Sequence, residues 1–113
     1  MTIEEDLKAN IKEFFESAER DFNEGRYNSS ISSYFKAIAT ICDLKIYGLK
    51  RILPKNHTER FLFLKTSFSE VYEILSPLFK EYTKTYNLRL GKKDALLFRD
   101  NAERIKQIFE RKA

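Results

Sequence analysis

Apolar residues recur at Leu7, Ile11, Phe14, Phe15, Ala18 and Phe22, the spacing that turns one side of a helix toward a core. The preceding Thr2-Ile3-Glu4-Glu5 reads as a capping box, with the Thr2 hydroxyl taking a backbone N–H and Glu5 reaching back. Asn23-Glu24-Gly25 closes this first helix, because glycine readily takes the left-handed conformation past a helix end. A second helix starts near Tyr27 or Asn28 and keeps Ile31, Tyr34, Phe35, Ile38, Ile41, Cys42, Ile46 and Leu49 on one face. Gly48 weakens its end, and Pro54 disfavours helical geometry at Leu53. A link of about three residues forces the two helices into an antiparallel hairpin.

Asn56 with Glu59 offers a second capping box, followed by a short helix that buries Phe61, Leu64 and Phe68. Ser67-Phe68-Ser69-Glu70 is a further helix start. Val71, Ile74, Leu75, Leu78, Phe79, Tyr82 and Tyr86 then continue at helical spacing. Pro77 interrupts that pattern and predicts a kink or a brief break. Residues 87–93 read as a polar, basic loop. Asp94 is expected to cap a last helix with Phe98, Ala102, Ile105, Ile108 and Phe109 inward, its terminal residues 110–113 fraying. No segment alternates as a strand does. The pattern predicts an all-α, up-and-down bundle of four to five helices in one domain.

Composition sharpens this picture. Three Gly and two Pro in 113 residues leave little material for the tight turns of an all-β fold. Ten Phe and six Tyr supply a large aromatic share of the core. A net charge of +4 is compatible with RNA or nucleotide binding, although 17 acidic residues are mixed in along the chain. The single cysteine, Cys42, rules out an internal disulfide and reads as a buried, inert thiol. One histidine and scattered acids assign no metal site and imply no cofactor. The isolated glycines make no phosphate loop. The longest apolar run is four residues, 61–64, too short to cross a membrane, and the first ten residues lack the apolar core of a signal peptide. Cytoplasmic residence is the expectation.

Two resemblances are carried by residues 16–90. Gly25, Tyr27, Ser30, Tyr34 and Ala37 fall at the offsets where a tetratricopeptide repeat places its turn glycine, aromatic and small packing residues. No second copy follows at a 34-residue offset, so this reads as shared hairpin packing or, as an alternative, a helical scaffold without nucleotide chemistry. The larger resemblance lies in three runs: AERDFNEGRYNSSISSYFKAIATICDLKIY, then PKNHTER, then FKEYTKTYN. Together they resemble a small prokaryotic HEPN domain protein. That resemblance implies a helical bundle that often dimerises. It also implies either a binding or regulatory module, partnering a small nucleotidyltransferase or taking nucleotide or RNA, or a metal-independent toxin-type endoribonuclease.

Active HEPN nucleases carry Arg, then four to six residues, then His. Here Arg51 and His57 are separated by five residues. Cleaving RNA without metal needs a base for the 2′-hydroxyl proton, which neutral imidazole supplies near neutral pH. It also needs a fixed cation on the phosphate, which guanidinium supplies bidentately. Arg51 would lie in the last turn of the second helix and His57 at the start of the third, with Lys50, Lys55, Asn56 and Arg60 as a nucleotide- or RNA-binding rim. Against the catalytic pair, Ile52 stands where active members have a polar residue, and a two-residue motif arises easily by chance in a chain rich in Lys and Arg. The same residues also make an ordinary helix junction, and both readings stay open. A second basic cluster, Lys84, Arg89, Lys92 and Lys93 with Tyr82 and Tyr86, suits single-stranded RNA. Four-residue spacing instead places both tyrosines on a buried face.

Overall fold

The computed structural model describes residues 2–111, and every regular element among them is helical. In chain order these are α1 (Ile3–Asn23), α2 (Tyr27–Lys50), α3 (His57–Ser67), α4 (Ser69–Thr83), a 3-10 turn (Lys84–Tyr86) and α5 (Lys92–Arg111). The fold is an all-α helical bundle. Of the chain end expected to fray, Lys112 and Ala113 lie outside the described residues, while Glu110 and Arg111 are helical.

The capping box at the start of α1 is complete: Glu5 N–H donates to Thr2 Oγ1 at 3.1 Å, and Thr2 N–H to Glu5 Oε1 at 3.2 Å. At its other end Gly25 takes φ 77°. Gly25 N–H then reaches the Phe22 carbonyl and Arg26 N–H the Asp21 carbonyl, at 3.1 and 2.8 Å. That paired reversal satisfies carbonyls the helix end would leave bare. The chain returns as α2, and Ser30 is what lets the two helices approach closely. Fully buried, it donates to the Ala18 carbonyl at 2.8 Å. Tyr34, also buried, donates to Glu19 Oε1 at 2.5 Å and meets the Phe15 ring edge-on.

α2 is the central element, with α1 along one side and α5 along another, while α3 and α4 pair with each other and touch α2. Its Ile31, Phe35, Ile38 and Cys42 join Leu64, Leu75, Phe98 and Ile105 in one core cluster.

Several local expectations are corrected. Arg51 is not in the last helical turn: it follows Lys50 with φ 59°, the one non-glycine residue with positive φ among the described residues. The left-handed step turns the chain toward Pro54, which cannot continue a helix. At α3, Asn56 Oδ1 accepts from Glu59 N–H as expected, but Glu59 answers to Lys55 N–H rather than to Asn56. Leu64 and Arg60 are buried there, with Phe61 and Phe68 only partly so. Pro77 does not split α4, which runs unbroken from Ser69 to Thr83. Asp94 is the third residue of α5, not its cap, and accepts from Gly91 N–H at 3.0 Å. Tyr86 is 74% exposed and so leaves the buried face, while Tyr82 stacks on Phe35 with centroids 4.5 Å apart.

Residues 87–91 are fixed from a distance. The Asn28 amide donates to the Leu88 carbonyl at 2.7 Å and accepts from Leu90 N–H at 2.9 Å, tying the loop to the first turn of α2.

Candidate functional site

Arg60 is the chain's most buried charged residue among those described, 9% exposed, and its environment organises the α2–α3 end. Asp43 is the only acid in the 24 residues of α2. Its two oxygens take the Arg60 Nε–H and Nη2–H at 2.7 and 2.9 Å, a bidentate pair. The remaining guanidinium arm points to His57 Nδ1 at 2.7 Å. Asn56 caps α3 and His57 is its first residue. Arg60 therefore follows one turn later on the same side of the helix.

The imidazole lies on an aromatic floor. Its ring centroid is 4.8 Å from Phe79 and 5.7 Å from Phe35, and Phe35 in turn stacks on Tyr82. His57, Arg60, Asp43, Lys36, Thr40 and Tyr82 border a cavity of about 260 Å³. Burial holds the His57 pKa below its ordinary value, with the Arg60 charge adding to the fall and Asp43 opposing it. Tyr82 is pushed up to about 12 by its hydrogen bond to Tyr86 and by burial.

The tautomer follows from the donor. Guanidinium has only N–H groups, so the Nδ1 it faces must present a lone pair. Neutral His57 therefore carries its proton on Nε2 and offers a hydrogen-bond donor from that edge.

The residues singled out from sequence divide between two places. His57 and Arg60 share the cavity, with Asn56 just before it as the helix cap. Arg51 is engaged elsewhere: its Nη1 donates to Glu4 Oε1 at 2.6 Å, and its guanidinium sits 5.5 Å from the Tyr47 ring. Arg51 and His57 share neither a hydrogen-bond partner nor a cavity among the described residues. Lys50 borders a separate depression of about 450 Å³ with Ile52, Leu53 and Leu62. Lys55 is exposed, and its backbone N–H belongs to Glu59. Arg60 is not a free rim cation but the centre of the Asp43–Arg60–His57 chain.

Asp43 and the Phe35–Phe79 floor are the components that sequence reasoning passed over. A lone acid beside the apolar stripe of α2, about two helical turns from its end, was the available signal for Asp43. Cys42, its neighbour, is fully buried, and burial pushes its thiol up to about 12. Among the described residues, no cluster of His, Cys, Asp and Glu is arranged to hold a metal ion, and no helix is long and apolar enough to cross a membrane.

Compared with known protein families, with curated proteins and with solved structures, the chain matches none.

Proposed function

We propose that the chain is a helical binding module, HEPN-like in kind, that takes a nucleotide or RNA phosphate element at the α2–α3 end. The observation that carries this reading is the Arg60 N–H directed at His57 Nδ1 at 2.7 Å. It leaves Nε2–H as the donor of a ring that borders the cavity together with the Lys36 side chain, a pair suited to holding an anionic oxygen. By its resemblance the module works as a homodimer and partners a small nucleotidyltransferase.

The ribonuclease reading has one observation in its favour, the lowered His57 pKa, which keeps the ring neutral near pH 7. A base must accept at Nε2, however, and then its proton would sit on Nδ1 facing the Arg60 N–H. Arg51, the proposed phosphate clamp, is held by Glu4.

The test is a pair of assays on wild type and His57→Ala. Single-stranded RNA incubated in EDTA should give the same background with both proteins. A fluorescent RNA oligonucleotide should bind wild type and lose about tenfold in affinity, the worth of one charge-assisted contact, with the variant. EDTA-resistant cleavage to cyclic phosphate ends that disappears in His57→Ala would replace the module with the enzyme. Neither cleavage nor binding would leave the scaffold reading.

A further inference from the structure

A second cavity, of about 670 Å³, opens on α2 where α1 and α5 leave it uncovered. That is within the range of roughly 300–1,000 Å³ typical of small-molecule sites. Its floor is apolar: Ile11 from α1, Ile41 and Leu44 from α2, Phe109 from α5. Its rim carries Lys8, Lys45 and Lys106, one from each of the three helices. No carboxylate pairs with these lysines among the described residues. Of the two acids alongside, Glu4 is held by Arg51, so Glu110 alone opposes three ammonium groups.

Gly48 completes the groove. Glycine inside a helix is disfavoured, yet here it lines the cavity, and a Cβ placed on it would meet nothing within 4 Å. Its missing side chain keeps the channel along α2 open from Ile41 to Leu49, about 12 Å at the helical rise per residue.

We propose that this groove binds an amphipathic anion: a medium-length aliphatic chain over Ile41, Leu44 and Phe109, with its carboxylate among Lys8, Lys45 and Lys106. The apolar floor has no use for a sugar-phosphate backbone. A second copy of the chain would bring the same three lysines against each other. A neutral hydrocarbon would leave the cationic rim unmatched. The groove shares no residue with the His57 cavity, so this inference stands apart from the proposed function.

Decanoate, whose extended chain matches the groove in length, is the probe, with decanol as its neutral counterpart. Amide NMR titration of the wild type should show saturable shifts centred on Ile11, Gly48 and Phe109. Decanol should bind about tenfold more weakly, as should decanoate with a Lys8→Gln/Lys45→Gln/Lys106→Gln variant. Gly48→Leu should melt no lower than wild type, because a Cβ there meets nothing within 4 Å and leucine favours the helix, yet should abolish the shifts. Should Gly48→Leu fail to fold, the glutamine variant decides alone. Shifts that never saturate, equal affinity for decanol, or undiminished binding by both variants would overturn the proposal. So would binding to phosphatidylglycerol vesicles with none to free decanoate.

Discussion

Replacing Asp43 with alanine strips the carboxylate that meets the Arg60 guanidinium through two hydrogen bonds, at 2.7 and 2.9 Å. The pair is shielded, with the Arg60 and Asp43 side chains only 11% and 16% exposed. Removing one partner of such a pair strands the other charge away from water, and the usual penalty is about 3–5 kcal/mol. The residual exposure here lets some water reach the guanidinium, which places the expectation at the lower end, about 3 kcal/mol. With a urea slope of about 1.5 kcal/mol per molar, that is a midpoint roughly 2 M lower. Arg60→Met should also destabilise, because it abandons the Asp43 carboxylate and the His57 Nδ1 lone pair together. The double variant should be less destabilised than the two singles added, by about 2 kcal/mol, since an apolar replacement leaves no orphaned charge. Equilibrium urea unfolding of the four proteins closes the cycle. Additive singles, with a coupling below about 0.5 kcal/mol, would show that the guanidinium simply swings into water. The Arg60-centred site would then lose its basis. Glu4→Ala is the internal control: the Arg51–Glu4 pair is 66% and 43% exposed, and its loss should fall within the error of the measurement.

The pH dependence follows from the same chain. His57 has a folded pKa below its ordinary 6.5, so the unfolded chain binds the proton more tightly. Stability tied to this group is full above about pH 6.5 and is lost as pH falls through the window down to the folded pKa. Because the Arg60 charge is one cause of the depression, Arg60→Met should raise the His57 pKa in an NMR titration; an unchanged value would refute the assigned pairing. Arg51→Gly should raise the urea midpoint at unchanged slope, because φ 59° is a conformation that glycine adopts without the Cβ penalty. A fall in the midpoint would show that the exposed Glu4 and Tyr47 contacts outweigh the backbone strain.

The helices were legible because their signals are local. The capping box at Thr2, the left-handed Gly25 and the buried spacing from Ile31 to Ile46 each lie within a few residues, and each stands in the structure as read. Errors gathered at element ends, where the deciding partner lies elsewhere in the chain. Arg51 leaves α2 one step early, with Glu4 of α1 holding its guanidinium 47 positions away. Tyr86 continues the spacing of α4, but the backbone tightens into a 3-10 turn and carries its ring out to solvent. The 87–91 loop owes its shape to Asn28, some 60 residues earlier. No periodicity reports such a bond.

The candidate site failed to show in the sequence for a related reason. A motif that counts from Arg51 to His57 assumes that the arginine nearest the turn serves the histidine. Helix geometry favours a different arginine. Arg60 is three residues beyond His57 on the same helix, so one turn of α3 brings the two side chains to one face. Arg51 lies across a six-residue stretch, residues 51–56, that includes Pro54 and no helical structure. Arg60 was available to the reading only as a surface cation, because a buried arginine is credible only once its counter-ion is known. That counter-ion, Asp43, lies 17 residues away and enters by tertiary packing of α2 against α3. What the sequence did contain was the oddity of a single acid on an otherwise acid-free helix. A polar residue beside a buried stripe needs a partner, and here the arginine that Asp43 pairs with also fixes which ring nitrogen of the one histidine carries the proton. The hydrogen bonding of His57 thus runs through Arg60 to Asp43, while Arg51 is engaged by Glu4.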